Sequence, residues 1–263
     1  QNAGMRIIGS GTFAQVYLQD ELAVKRTRME CPQWHKLPAH PNILRLAKMH
    51  KQGDHIYYHT KHCVNGDLYK LMADTGRLTI KPALHLTLYI AKGLQAMHRA
   101  GFSHRDVKLE NVLIGDNHEP ILCDFDFTTT INPSQPKSQY KRCGSIPYCA
   151  PEVIANAIHD PRAADCWSLG VCLYAMCVGK LPFDGKTNQE NTDVHISKRI
   201  LQNQYSIPQI PQHTVDAFTM DLIGRLLEWN PDQRLGIDEL VSILESHSMD
   251  QQEYIQELTR LRK

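Results

Sequence analysis

The strongest constraint on this 263-residue chain is a polar cluster set between apolar runs. His104-Arg105-Asp106-Val107-Lys108-Leu109-Glu110-Asn111 leads into Val112-Leu113-Ile114, which places an acid, a base and an amide within six positions of a tight loop. Thirteen residues past Asn111 comes Asp124-Phe125-Asp126, directly after Ile121-Leu122-Cys123.

The texture of the chain changes on either side of residue 66. Residues 1–60 are short apolar runs (5–8, 14–18, 22–24, 43–49 and 56–58) broken by turn residues, with Gln19-Asp20 and Gln52-Gly53-Asp54 as expected hairpin tips. This predicts a small sheet-rich lobe. Over residues 82–99, Leu84, Leu88, Ala91, Leu94 and Met97 recur at three- and four-residue steps, Pro82 suits a first turn, and Gly101 follows the end. That pattern predicts a long amphipathic helix, and similar patterns cover residues 165–178, 215–229 and 237–244. Residues 115–144, rich in Pro, Ser, Thr and Asn, read as irregular and as regulatory or substrate-facing. There is no internal repeat and no long Pro/Gly/Ser linker, so the length allows one large or two small domains.

Charge excludes several function classes. With 29 Lys+Arg against 28 Asp+Glu, no general electrostatic grip on nucleic acid or acidic membranes is expected. The longest apolar run, residues 169–178, is about half of a bilayer span and reads as a buried helix. The first six residues hold no apolar signal core, and the eight cysteines form no C-x-x-C pair. Free thiols in an intracellular compartment, cytoplasmic or nuclear, are the expectation.

Two N-terminal features add to the central cluster. Gly9-Ser10-Gly11-Thr12-Phe13-Ala14-Gln15-Val16 is flanked by strand-like runs, the wrong context for a dinucleotide crossover. It suits either a flexible flap over phosphates or a plain hairpin. Lys25 ends an apolar strand, where an ammonium is expensive to bury without an anion. A nucleotide phosphate would be such an anion; a snorkelling surface lysine is the alternative.

Taken together, these residues resemble the eukaryotic protein kinase family, whose catalytic loop reads H-R-D-x-K-x-x-N and whose metal site reads D-F-G. Ala150-Pro151-Glu152 is similar to the A-P-E that closes that family's activation segment. Asp165-x-Trp167-Ser168-x-Gly170 and Arg234 are similar to its buried aspartate helix and to the arginine that pairs with the A-P-E glutamate. The likeness runs from residue 8 to residue 244, with every motif in family order. It implies an α+β, bilobal protein kinase fold with a small β-rich N-lobe, a shortened C-helix and a larger helical C-lobe. The implied kinase domain covers residues 1–246, with the N-lobe at 1–60, the hinge at 61–66 and the C-lobe at 67–246. Residues 247–263 read as a solvated tail.

The resemblance implies ATP and Mg²⁺ as cofactors, and serine or threonine hydroxyls of protein substrates as acceptors. Phosphoryl transfer asks for little covalent chemistry, so catalysis consists of holding the γ-phosphoryl group in line and neutralising charge on its oxygens. By resemblance, Ile8, Gly9, Gly11, Val16 and Ala23 would cover the nucleotide, and Lys25 would contact its α- and β-phosphates. Asp124 and Asn111 would hold magnesium, and Asp106 would accept the proton of the substrate hydroxyl. Lys108, two residues after that base, would neutralise the transferring group, and Ser145 would brace Asp106 and Lys108. Asn65-Gly66-Asp67-Leu68 is similar to the family's G-G-E-L after the hinge, which puts Thr60 at the gatekeeper, Lys61 and Cys63 beside the adenine edge, and Asp67 at the pocket rim. Cys123 reads either as a thiol reachable from that pocket or as an inert packed one.

The chain departs from the family pattern in four ways. Asp126 replaces the glycine of D-F-G, with left-handed backbone expected there at about 1 kcal/mol and less switching of the segment. Only fourteen residues separate Lys25 from His40, so the helix that supplies the lysine's glutamate must be very short. Glu30 is the candidate partner, although Pro32 would put it at or before the helix start, and a solvated glutamate is the alternative. If the helix forms, Trp34 would pack inward. Lys141 stands where many relatives carry an activating phosphothreonine, which leaves open constitutive activity or control through Ser138, Tyr140 or residues 128–130. Glu110 and Asp67 match acids that read an upstream basic residue in substrates, but Ala175 replaces another. The alternative function is a pseudokinase acting as a nucleotide-binding scaffold or allosteric partner, and a regulatory partner is left open in either case.

Overall fold

Alternating, turn-bounded runs at the N-terminal end build one antiparallel sheet of five strands: β1 (Arg6–Ser10), β2 (Ala14–Gln19), β3 (Leu22–Thr27), β4 (Leu46–Gln52) and β5 (His55–Lys61), in the order β1-β2-β3-β5-β4. The computed structural model describes residues 6–11, 14–184, 192–205, 215–247 and 249–261. Met5 of the first predicted run, Thr12 and Phe13 of the glycine run, and Ser248 and the last two residues of the predicted tail lie outside the described residues. The β2–β3 tip is Asp20-Glu21, both with positive φ, and the β4–β5 tip uses Gly53 at φ 56°. Such left-handed tips match the right-handed twist of the strands they join. Ile43 and Leu44, expected to open a strand, instead cross to the other lobe, where Leu44 N–H donates to the Leu122 carbonyl at 2.8 Å.

The link between β3 and β4 contains no α-helix, only a single 3-10 turn at Trp34–Lys36. The expected short C-helix is therefore absent. Pro32, Pro38 and Pro41 punctuate the segment, and a proline inside a helix removes a backbone donor and clashes with the preceding turn. Trp34 still packs inward at 5% exposure, and its indole N–H donates to the Leu44 carbonyl at 2.9 Å.

The larger lobe begins with α1 (Leu68–Thr75), whose first turn is capped by Asp67, and α2 (Ile80–Arg99). Short strands β6 (Phe102–Ser103), β7 (Val112–Ile114), β8 (Pro120–Leu122) and β9 (Thr129–Thr130) pair as β6 with β9 and β7 with β8. Beyond them come α3 (Pro151–Ile154), α4 (Pro161–Val178), α5 (Asp193–Leu201), α6 (Ala217–Leu226), α7 (Ile237–Glu245) and α8 (Gln251–Leu261). Fifteen of the eighteen α4 residues are buried, so the long apolar run is the core helix of this lobe. α6 packs so close to it that a Cβ on Gly170 would lie 2.7 Å from Leu226 Cβ. No described helix is long and apolar enough to cross a membrane.

The expected solvated tail is instead a docked helix. Tyr254 and Leu258, four residues apart on one face of α8, are fully buried. The Tyr254 ring stacks on His85 of α2 with centroids 4.1 Å apart, and its hydroxyl donates to the His118 carbonyl at 3.1 Å. Thr79 donates to Glu257 at 3.1 Å, and Lys81 pairs with Glu253 at 3.1 Å, so one edge of the helix is tied at two levels to the start of α2. Tyr254→Ala is expected to lower stability by about 3 kcal/mol, because it leaves a cavity under α8. That loss is a drop of roughly 6–12 °C in thermal midpoint, read by scanning calorimetry. An unchanged midpoint would mean that α8 is undocked in solution.

Candidate active site

The site starts from one buried carboxylate in α4. Asp165 is fully buried and accepts four hydrogen bonds: from Ser103 Oγ at 2.8 Å, His104 N at 2.9 Å, Arg105 N at 2.8 Å and His98 Nε2 at 2.8 Å. Burial would raise its pKa, but the bond from His98 and the other donors outweigh burial and hold it below the ordinary aspartate range. These bonds clamp a loop that must carry Arg105 at φ 67°, an unfavourable left-handed conformation for such a residue. The kinked backbone turns Asp106 into the cleft.

Asp106 is held from three sides. Its Oδ2 accepts from Asn111 Nδ2 at 2.9 Å and from Lys108 Nζ at 3.0 Å, while its Oδ1 accepts from Ser145 N at 3.0 Å and Ser145 Oγ at 3.1 Å. The Ser145 hydroxyl in turn accepts from Lys108 Nζ at 2.9 Å. The acid, the base, the amide and the activation-segment serine are thus brought into one hydrogen-bonded group. Gly144 makes this approach feasible: at φ 86°, a Cβ on it would sit 2.7 Å from the Arg105 carbonyl oxygen.

Across the cleft, Lys25 on β3 is wedged between two carboxylates. Its Nζ donates to Asp124 Oδ1 at 2.6 Å and to Asp126 Oδ2 at 2.7 Å, and its side chain is 12% exposed. Burial would pull the ammonium pKa down, but the two carboxylates outweigh it and hold the pKa above the ordinary lysine value. Burial would likewise raise Asp124, and Lys25 reverses the sign and holds it low. For Asp126, burial and the neighbouring Asp124 outweigh Lys25 and raise the carboxyl. Among non-glycine residues of the segment the left-handed backbone falls at Asp124, φ 61°, and not at Asp126 as expected, so Asp126 carries no left-handed penalty.

Glu30 does not reach Lys25. It is an exposed residue paired with Lys51, and it lines a separate hollow of about 950 Å³ behind the sheet. Without a helix after β3, nothing turns Glu30 inward. Aromatic rings stand there in place of the helix. Trp34 stacks on Tyr58 at 5.2 Å and meets the buried Phe125 edge-on at 5.5 Å. Cys31 completes the link, donating its N–H to the Tyr58 hydroxyl oxygen at 2.8 Å and its thiol to the Phe125 carbonyl at 2.9 Å.

A cleft of about 710 Å³ separates the two lobes. Ile8, Gly9, Gly11, Val16, Ala23, Lys25, Thr60, Lys61, Cys63 and Asp67 line it, together with Asp106, Lys108, Asn111, Asp124 and Ser145. Of the site residues expected from sequence, Glu30 alone is elsewhere. Trp34, Leu113, Asp126 and Phe127 also line the cleft and were not foreseen as site residues. Burial raises the Cys63 thiol to about 11 and pushes Cys123 higher still, which disfavours the thiolate at both, and the half-buried Cys123 lines the cleft as one of the two expectations had it. Asp67 is partly engaged, since its Oδ1 caps α1 through Lys70 N at 2.7 Å.

The activation segment is fastened by backbone. Arg105 donates to the carbonyls of Phe127, at 3.4 Å, and Lys141, and it lies over the Tyr140 ring at 5.4 Å. Further along, Arg234 makes a bidentate, buried pair with Glu152 at 2.6 and 2.9 Å and covers Trp167 at 5.0 Å.

Residues 3–244 match the family model for the protein kinase domain. The chain is 31% identical to serine/threonine-protein kinase ppk16 of Schizosaccharomyces pombe over 249 residues, which are 90% of this chain and 36% of that protein. It is 31% identical to serine/threonine-protein kinase SIK1 of Mus musculus over 253 residues, 89% of this chain and 31% of that one. It is 32% identical to serine/threonine-protein kinase SAPK1 of Oryza sativa subsp. japonica over 258 residues, 90% of this chain and 72% of that one. The chain spans about a third of the length of the first two. With the bilobal fold, the clamped catalytic loop and these likenesses in hand, the chain belongs to the eukaryotic protein kinase family, among its serine/threonine members.

Proposed function

We propose that this chain transfers the γ-phosphoryl group of ATP, with Mg²⁺, to serine and threonine hydroxyls of proteins. The observation that carries this reading is the Asp106 carboxylate, which is held by Asn111, Lys108 and Ser145 at the floor of a cleft that Asp124 also lines and whose opposite wall carries Lys25 on β3. The donor set fits a hard divalent cation. Asn111 uses its amide nitrogen on Asp106, which leaves its side-chain oxygen, in the cleft that the Asp124 carboxylate also lines, for a metal that prefers oxygen ligands. Lys25 between two carboxylates leaves that cluster with a net negative charge for such a cation to balance. Magnesium held there by Asp124 and Asn111 would neutralise phosphate charge.

Each remaining step belongs to the chain's own residues. Lys25 orients the phosphates, with one of its three N–H donors still available. Asp106 orients the acceptor hydroxyl and takes its proton as the new oxygen–phosphorus bond forms and the bond to ADP breaks. Lys108 sits where it can neutralise the group in transit, and Ser145 holds both in register. Glu110, exposed at the cleft, supports a preference for substrates with an upstream basic residue. Arg105, satisfied by carbonyls and the Tyr140 ring, supports activity without an activation-segment phosphate.

Asp106→Asn is expected to lower kcat by about 10²–10⁴-fold with nucleotide binding retained. Asp124→Asn, or removal of Mg²⁺ by a chelator, should abolish transfer. Labelled-ATP assays on a degenerate peptide library read all three, and equal labelling by the wild type and both variants would sink the catalytic assignment. In the same library, Arg three residues before the acceptor should favour transfer by about fivefold, the scale of one exposed ion pair; no enrichment dismisses Glu110 as its reader. Protein stripped with a broad phosphatase and confirmed bare by mass spectrometry should keep its full rate, whereas loss of most activity would show that a phosphate is needed.

A further inference from the structure

We infer that Asp126, at the position where the family keeps a glycine, is the positioning residue for Lys25 and takes over the task of the glutamate on the missing helix. The inference rests on the kinase reading above and adds a residue to it. Three observations carry it. Asp126 Oδ2 is 2.7 Å from Lys25 Nζ, and the Asp126 side chain is 10% exposed, so the pair is screened little by water. The alternative partner is gone, because Glu30 is exposed and paired with Lys51. Finally, the other carboxylate on Lys25 is Asp124, at 2.6 Å, and Asp124 is the residue needed to hold a metal.

This third point makes the role specific. With only Asp124 for company, the buried ammonium would hold that carboxylate and compete with the cation for it. A second carboxylate removes the conflict. Asp126 keeps Lys25 fixed on β3 while Asp124 is released to metal, and Lys25, which lines the cleft, has a third N–H beyond the two bonds to carboxylates. Among the described residues Asp126 Oδ1 meets no hydrogen-bond donor, and Lys25 is the donor to Oδ2 of this buried carboxylate. The Trp34, Tyr58 and Phe125 rings pack on one another where the helix is missing, so the pair needs no helix movement to assemble.

A double-mutant cycle on kcat tests this, with Asp126→Asn, Lys25→Met and the pair, each checked for an unchanged thermal midpoint. Asp126→Asn is expected to cost about tenfold or more in the Lys25 background and less than about twofold in the Lys25→Met background, because the residue acts through the lysine. Its half-activating Mg²⁺ concentration should also rise, a shift that a merely structural role would not give. Equal losses in both backgrounds overturn the inference. Asp126→Gly, which restores the family's usual residue, should lose activity in the same way; full activity in that variant overturns it too. A crystal structure of the wild type with Mg²⁺ and a non-hydrolysable ATP analogue gives a readout independent of turnover. Lys25 Nζ should stay within hydrogen-bond distance of Asp126 after Asp124 has moved to the metal, and pairing with Glu30 or with no carboxylate overturns the inference. A wild type that transfers no phosphate defeats the catalytic assignment, and the crystal structure then still decides the role of Asp126.

Discussion

A single ionised group at the centre of the larger lobe governs the geometry of everything catalytic. Asp165 has no access to water, so its charge must be met by donors of the protein, and besides His98 of α2 these are Ser103, His104 and Arg105 at the start of the catalytic loop. Stripping those bonds away would leave an uncompensated buried charge at a cost of several kcal/mol. The same force that stabilises the aspartate therefore keeps His104 and Arg105 in a strained turn and aims Asp106 outward. α4, among the most apolar parts of the chain, supplies a rigid seat for that charge. Its packing against α6 and the Arg234–Glu152 pair fix where the activation segment ends.

The smaller lobe solves a different problem, the placement of one lysine without a helix behind it. Sheet register sets the position of Lys25, which lies opposite Val16 on β2 and Tyr58 on β5. Charge balance comes from the two aspartates that flank Phe125, and steric support comes from Trp34 stacked on Tyr58. Chain connectivity joins these functions, since Phe125 sits between the two acids and is itself buried under Trp34. The fully packed ring fixes the backbone between the two acids, so Asp126 stays buried on Lys25 while the more exposed Asp124 side chain can turn to a metal without the segment moving. That argues for a site assembled in its ground state, in line with an Arg105 already satisfied by backbone carbonyls.

Much of the site was legible because its parts are close in sequence. Asp106, Lys108 and Asn111 fall within one turn and a half of chain, so their spacing alone puts them within reach of one another. Lys25 was marked by its place at the end of an apolar strand, and the helices by their three- and four-residue periods. The pairing of Lys25 was misread because it joins residues 99 and 101 positions apart, for which local periodicity carries no information. Pro32 points against Glu30 as the partner, and position 126 reads locally as a lost glycine and not as a carboxylate in reach of Lys25. The docking of α8 escaped for a related reason: Tyr254 and Leu258 form an apolar stripe that water, a partner or α2 could each cover, and the sequence does not say which.

The sequence by itself determined the chemistry of this protein: a buried acid, a base and an amide in one loop, a metal-type aspartate after a short strand, and helices of the right period to hold them. These follow from side-chain identity and from steps of a few residues, where backbone geometry leaves few options. Tertiary structure decided which charges meet. It sent Glu30 to solvent, put Asp126 on Lys25, turned Trp34 inward in place of a helix, and laid α8 along α2. The physical reason is that ion pairing and burial act through space, at 2.6–2.7 Å for the two bonds of Lys25, and the fold alone brings distant parts of the chain to that separation.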